Sequence, residues 1–306
     1  MNTLIPAQLT SDVELVEEIG RYIVESGGKR LRPILVLLGA GACGNTEDRR
    51  IALAAVIEFL HTATLLHDDV VDRSGLRRGK QTANAVWGNA PSVLVGDFLY
   101  SRAFQLMVTL NDLEILRVLS DATNTIAEGE VLQLARLGDL KLNESQYMEV
   151  IRCKTALLFE AATHTAGLLA GAPAEQVEAL RCYGEQFGLA YQLMDDYLDY
   201  AGDTALLGKN VGDDLAEGKV TLPLIFGMAN APRRQSIVIE NAIAERNVQQ
   251  LDEVVAIVRE CGALAYTQQQ AARCCHNALA ALAPLPQSPY RDGLEQLAEY
   301  SLARIS

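Results

Sequence analysis

Apolar positions recur along this chain at the three-and-four spacing of amphipathic helices, and alternating runs rich in Val, Ile and Thr are missing. The pattern predicts helix throughout. Ser11-Asp12-Val13-Glu14 reads as a capping box opening the first long helix, and Gly27-Gly28 ends it. A second helix spans about Leu31 to Ala42. Thr46 caps a third, from roughly Glu47 to Asp72, with Ile51, Ala55, Phe59, Leu60 and Leu66 in its apolar pattern. Gly75 to Asn89 is a basic, glycine-containing loop. Pro91 suits the first turn of a helix running to about Leu110, and the next covers Asp112 to about Leu137. Asn143 with Gln146 caps a helix that reaches Ala170, and Gln176 to Tyr200 forms another. A polar loop with Lys209 and Asp213-Asp214 fills Gly202 to Lys219, and the chain from Thr221 reads as several shorter helices. Neither a fixed-period repeat nor a dividing linker is visible, so one all-α domain over residues 1–306 is the simplest organisation.

Composition narrows the function. At 306 residues with 49% apolar content, the chain is large enough for a substantial core. Lys and Arg total 26 against 39 Asp and Glu, a net charge of −13 that repels nucleic acid and anionic lipid surfaces. The basic residues are nevertheless gathered, Lys29, Arg30 and Arg32 in one cluster and Arg73, Arg77, Arg78 and Lys80 in another. The longest apolar run, Pro33 to Cys43, is too short to span a bilayer, and the N-terminus lacks signal-peptide form; a cytoplasmic protein, not an integral membrane one, is expected. Six scattered cysteines argue against a disulfide framework. Cys274-Cys275-His276 lacks a second ligand pair at zinc spacing, and neighbouring helical residues diverge.

The chemistry concentrates in Leu65-Leu66-His67-Asp68-Asp69-Val70-Val71-Asp72. On a helix, Asp68 and Asp72 share a face and Asp69 lies about 100° round. Crowded carboxylates repel unless a cation sits among them. Alone, the stretch also admits the reading of an acidic helix end in solvent. A second copy, Asp195-Asp196-Tyr197-Leu198-Asp199, changes the weight: both copies end a long helix and both precede a loop with basic residues. Facing helices of this kind would gather six carboxylates for Mg²⁺, a hard ion usually bound by one or two carboxylates plus substrate phosphates, with Arg and Lys on the remaining phosphate oxygens. The combination points to a diphosphate site.

The same residues carry a family resemblance over nearly the whole chain. The motifs are Gly27-Gly28-Lys29-Arg30-Leu31-Arg32-Pro33, His61 to Asp72, Arg77-Arg78-Gly79-Lys80, Gly96-Asp97, Ala127-Glu128-Gly129-Glu130, Lys154-Thr155, Gln192 to Asp196, Gly208-Lys209-Asn210 and Glu217-Gly218-Lys219. Together they resemble the trans-type polyprenyl diphosphate synthases, most closely the bacterial octaprenyl group. The resemblance implies a helical isoprenoid-synthase bundle around a central cavity. It also implies successive condensation of isopentenyl diphosphate onto an allylic diphosphate, farnesyl diphosphate for preference, toward a quinone side chain. It implies Mg²⁺ held by Asp68, Asp72 and Asp195, about three ions with substrate bound, an all-oxygen chemistry typical of that ion. Asp69, Asp196 and Asp199 then support the cluster; Arg77, Lys154, Lys209 and Lys219 hold the allylic diphosphate; Lys29, Arg32, His61 and Arg78 form the isopentenyl diphosphate pocket. Thr155 and Gln192 match positions that stabilise positive charge at the reacting centre. By the family's mechanism the proton leaves to the released diphosphate, with His67 the second choice. A homodimer with a membrane-directed product is expected.

Small Ala63 and Thr64 stand one turn before Asp68, where bulky aromatics close the product tunnel in short-chain members. They imply a long product, C40, with a floor farther down near Phe104, Leu106 and Met107. Without the family, Lys154 and Gln192 read as helix-surface residues and His61, His164 and His276 as structural ones. Two features depart from the family: Val220 where proline is common, and a chain start close to the Gly27-Gly28 motif. A terpene cyclase shares the helical fold but carries a mixed Asn/Ser/Glu second metal motif. A non-catalytic partner subunit usually loses one aspartate motif. Here both are intact.

Overall fold

The computed structural model describes residues 3–201, 212–246 and 248–303, and they are helical almost throughout. The chain divides into two compact units. One comprises Met1–Thr123, Ala161–Arg181 and Pro284–Leu294; the other comprises Asn124–Glu160, Cys182–Ala283 and Glu295–Ser306.

The first unit is built on α1 (Leu4–Gln8), α2 (Glu14–Glu25), α3 (Leu31–Ala42), α4 (Arg49–Val71), α5 (Ala83–Trp87) and α6 (Asn89–Thr109). The expected capping box opens α2 differently. Val13 is the cap residue, its N–H donates to the Ser11 hydroxyl, and Glu17 rather than Glu14 reaches back to the Ser11 N–H. A polar helix start offers several such pairings, and a two-residue shift in the cap changes the partner. The predicted bounds of α3 hold. Its Gly41 is required by packing, because a Cβ there would lie 2.4 Å from the Tyr290 ring.

Helix α4 is the core of this unit. Leu53 to Ile57, Phe59, Leu60, Ala63 and Leu66 are all buried, and its main partners are α6 and α3. By length and composition α4 could cross a membrane, but 56% of its apolar stretch is buried inside the protein. A helix apolar on most sides is what a core position demands.

The loop expected over Gly75 to Asn89 holds a two-stranded hairpin, β1 (Leu76–Arg77) with β2 (Lys80–Gln81), before α5. Arg78 and Gly79 form its two-residue turn with φ of 54° and 74°. Positive φ at both centres is the type I′ geometry that matches strand twist.

The second unit contains the later part of α7 (Leu113–Ala135), α8 (Glu144–Ile151), the start of α9 (Leu157–Leu169) and the later part of α10 (Ala174–Ala201). The Asn143–Gln146 capping box forms with both bonds. The single helix expected after it is interrupted, however: Arg152–Ala156 is a π-helical segment between α8 and α9. Such insertions are uncommon and frequent at functional sites. Two glycines show what bends the chain there. A Cβ on Gly129 would lie 2.8 Å from Cys153 Cβ, and one on Gly188 would lie 2.5 Å from Ala156 Cα. Helices α7 and α10 thus both press backbone-close on the π segment, as only glycine permits.

Beyond α10 follow α11 (Asp213–Glu217), α12 (Leu222–Asn230), α13 (Arg233–Glu245), α14 (Leu251–Glu260), α15 (Ala263–Ala281) and α16 (Pro289–Ala303). Helix α12 packs on α13, α14 and α15, with Phe226 stacked on Tyr266 at 4.5 Å. All six cysteines are free thiols. Cys274 and Cys275 are buried, and His276 is exposed.

Candidate active site

The first aspartate motif closes α4. Asp68 and Asp72 are half-buried, and the Asp72 N–H donates to the Asp68 carbonyl as the helix ends. Asp69 points elsewhere and is completely buried. Arg77 answers it from β1: Nε and Nη2 approach Asp69 Oδ1 at 2.8 and 2.7 Å. The helix end is tied to the hairpin a second time by Asn84, whose amide donates to the Asp69 carbonyl. The first motif therefore carries its own counter-charge.

The hairpin turn also brings the two basic clusters together. With Arg78 in the left-handed region, its guanidinium lies over Gly28, so that a Cβ on Gly28 would be 2.6 Å from Nη1. Arg32 Nη1 lies 3.3 Å from His61 Nε2. Arginine only donates, so Nε2 is the acceptor and the ring proton sits on Nδ1. Burial, followed by the charges of Arg32, Arg78 and Arg77, holds the His61 pKa well below its usual value, and the ring is neutral at pH 7. Lys29 is exposed beside this group.

Glu58 sits three residues before His61. Burial pushes its carboxyl up, against the opposing pull of Arg32, Arg30 and Arg78. The sequence reading missed it, although a lone carboxylate inside the apolar pattern of α4 was a visible signal.

Ala63 is fully buried and Thr64 half-buried, its hydroxyl turned back onto the His61 carbonyl at 2.8 Å. On α6, Leu106 and Met107 are buried and Phe104 is half-buried. His67 donates through Nε2 to the Val93 carbonyl at 3.2 Å, with Asp97 at 3.3 Å. A Cβ on Gly96 would lie 2.3 Å from that nitrogen. His67 is thereby engaged at Nε2 by α6.

The second motif closes α10 in a different setting. Asp196 is 3% exposed. Tyr147 donates to its Oδ2 at 2.5 Å and the Gln192 amide to its Oδ1 at 2.7 Å. Gln192 Oε1 accepts from the Thr155 hydroxyl at 2.9 Å. The close crossing at Gly188 and Ala156 sets Thr155, in the π segment, against Gln192 one turn on. Lys154, its neighbour, donates to Glu130 and Gln133, both at 2.6 Å, from the part of α7 that Gly129 holds close.

A further carboxylate joins this motif. The Asp214 N–H donates to Asp199 Oδ2 at 3.3 Å. Burial, then repulsion from Asp214, Asp213 and Asp196, pushes the Asp199 carboxyl up to about 9. Burial, then Asp214 and more weakly Asp195, pushes Asp196 well above the carboxylate range, despite the hydrogen bonds from Tyr147 and Gln192. Asp213-Asp214 had been read only as loop residues.

Lys219 is ion-paired with Glu217, and its N–H donates to the Asp214 carbonyl at 2.8 Å. Val220 is buried, and proline follows at Pro223 in the first turn of α12. Lys209 lies outside the described residues.

A largely helical protein with aspartate motifs at two helix ends has the architecture of the isoprenoid synthases, and the comparisons agree. The polyprenyl synthase of Caulobacter crescentus CB15, whose crystal structure contains calcium and isoprenyl diphosphate, matches with a TM-score of 0.96 at 46% identity. The match covers 100% of this chain and 94% of that one. The octaprenyl diphosphate synthase of Escherichia coli K12 is 51% identical over 305 residues, 99% of this chain and 94% of that protein. The geranyl-diphosphate-specific all-trans-nonaprenyl-diphosphate synthase of Rhodobacter capsulatus is 50% identical over 306 residues, 100% of this chain and 94% of that protein. Residues 13–261 match the family model for polyprenyl synthetase. The chain belongs to the polyprenyl synthetase family, and its class of activity is trans-prenyl transfer.

Proposed function

We propose that this protein condenses isopentenyl diphosphate stepwise onto an allylic diphosphate, with farnesyl diphosphate as primer, to give all-trans octaprenyl diphosphate for a quinone side chain. The observation that carries the reading is the pair of DDxxD motifs at two helix ends, accompanied by the basic group of Arg32, Arg77 and Arg78. Both units act as one catalytic domain in this reading, in a cytoplasmic homodimer that releases a membrane-directed product.

The carboxylates fit Mg²⁺. The donor set is all oxygen, and Asp195, Asp196, Asp199 and Asp214 concentrate negative charge that a cation relieves. Among the described residues no three ligating side chains already form a closed cage. Mg²⁺ takes one or two carboxylates and completes its shell with water and substrate phosphates. Asp68, Asp72 and Asp195 are the direct ligands, for about three ions, in this assignment. When bound, the metal neutralises charge growing on the departing diphosphate.

The chain's own residues do the rest. Arg77, Lys154, Lys209 and Lys219 bind the allylic diphosphate. Lys29, Arg32, Arg78 and neutral His61 bind isopentenyl diphosphate beside it, which makes the encounter effectively intramolecular. The allylic carbon–oxygen bond breaks, and the double bond of isopentenyl diphosphate attacks the cation. The oxygens of Thr155 and Gln192 stabilise its positive charge. The new bond moves the charge onto the isopentenyl unit, which loses a proton to the released diphosphate.

Incubation with farnesyl diphosphate, isopentenyl diphosphate and Mg²⁺, with products sized by mass, tests the proposal. A C40 ladder end is expected, and absence of any condensation would sink it. Ala63, fully buried, and Thr64 are the assigned chain-length positions. Ala63→Tyr should shorten the products toward C15–C20, and an unchanged ladder would remove Ala63 from the tunnel.

A further inference from the structure

Both carboxyl oxygens of Asp196 are occupied by uncharged donors. The Tyr147 hydroxyl is at Oδ2 and the Gln192 amide at Oδ1. We propose that Tyr147 is a positioning residue for prenyl transfer: through Asp196 it fixes which way the Gln192 amide points. In so doing it keeps the oxygens of Gln192 and Thr155 available to the developing cation. The inference rests on the prenyl-transfer reading and on the placement of Thr155 and Gln192 at the reacting centre.

An amide presents oxygen on one side and NH₂ on the other, and only its partners decide which way round it sits. Tyr147 donates to Oδ2 and Gln192 Nε2 donates to Oδ1, so Gln192 turns its NH₂ to Asp196 and its oxygen to the Thr155 hydroxyl. Thr155 spends its proton on that oxygen at 2.9 Å, which leaves the hydroxyl lone pairs outward. The chain Tyr147–Asp196–Gln192–Thr155 therefore ends in acceptors, the polarity that a carbocation requires. Reversing the amide would present N–H donors to a positive charge.

The supports of this chain are rigid. Gln192 and Asp196 lie one turn apart on α10, where side chains four residues apart meet. Thr155 is fixed by the glycine crossing at Gly188, and Tyr147 by the helix that the Asn143–Gln146 box starts. Tyr147 is 3% exposed, so water cannot readily replace its hydroxyl at Oδ2. Deleting that donor leaves a buried oxygen unpaired and frees the carboxyl to turn.

Tyr147→Phe keeps the ring and removes only the hydroxyl. The expected result is a kcat for condensation lower by roughly 10- to 100-fold. KM for both diphosphates and the Mg²⁺ half-saturation should stay within about twofold of wild type. Asp196→Asn, in which the new amide can donate to Gln192 and reverse it, should show the same loss of kcat at saturating Mg²⁺ with KM for both diphosphates unchanged. The double variant should be no slower than Asp196→Asn alone, since the residues act as one unit.

A fall in Tm with unchanged kcat would make Tyr147 merely structural. A raised Mg²⁺ half-saturation, with kcat restored at saturating metal, would assign the pair to the metal site. Multiplying effects in the double variant would break the chain. If Tyr147→Phe fails to fold, Asp196→Asn alone decides by the same split of kcat from KM. Wild-type protein measured alongside separates the two claims. No condensation there overturns the prenyl-transfer reading, whereas active wild type with both variants at its kcat overturns only this inference.

Discussion

The two aspartate motifs are alike in sequence and opposite in electrostatic setting. At the end of α4, buried Asp69 is met by the Arg77 guanidinium at 2.7 Å. At the end of α10, buried Asp196 is met by a phenol and an amide, and its charged neighbours Asp195 and Asp214 repel it. The first motif is assembled with a cation of the protein's own. The second gathers acidic groups whose burial and mutual repulsion push the Asp196 and Asp199 carboxyls up. Equal spelling thus hides a difference in what each motif needs from outside, and the difference arises from the flanking segments. A hairpin carrying Arg77 and Arg78 follows the first motif, whereas a short helix opening with Asp213-Asp214 lies near the second.

The largest expected effect tests what the motifs share. Asp68→Ala and Asp195→Ala should each lower kcat on the order of 10²–10³-fold, the usual cost of losing one electrostatic stabiliser of a developing charge. Circular dichroism should show the fold intact. Wild-type rates in Asp68→Ala would remove it from the metal site and leave the second motif to act alone.

The next test addresses what they do not share. Arg77→Ala strands the Asp69 carboxylate, fully buried, without its cation. Breaking a buried pair from one side costs about 3 kcal/mol or more. Urea unfolding of the metal-free protein should show that loss as a lower midpoint at unchanged slope. A loss below about 0.5 kcal/mol would mean that solvent screens the pair, as at a surface site, and the contrast between the motifs would collapse.

Much of this was legible in the sequence, for reasons that differ by element. Helix α3 has the predicted bounds, and the Asn143–Gln146 box forms as written, because apolar spacing and capping chemistry are local. The motifs were found because six aspartates recur in a fixed pattern. The π segment at Arg152–Ala156 was not found, since its residues continue a smooth helical pattern. Close approach at Gly129 and Gly188, remote in sequence, accompanies the change of winding. Tyr147 and Asp214 were missed for a related reason. A tyrosine and a loop aspartate carry no signal until folding brings them to Asp196 and Asp199. Glu58 could have been read, being a charge inside an apolar helix, where burial without a partner is costly.

The last test concerns Asp199 alone and is seen as a pH dependence. Its carboxyl is pushed from 3.8 to about 9 by burial first and by Asp214 next. The unfolded chain restores the ordinary value, so between these limits the folded state binds more protons than the unfolded one. Stability from this group is then complete below pH 3.8 and is lost progressively as pH rises toward about 9. Asp199→Asn removes the titration. In EDTA, the unfolding free energy of the variant relative to wild type should therefore increase steadily from pH 5 to pH 9. Mg²⁺ with inorganic diphosphate should reverse the ranking at high pH, because only the wild-type carboxylate can answer the added positive charge. A pH-independent difference in EDTA would show that Asp199 is already ionised without metal, and the second motif would then need no more from outside than the first.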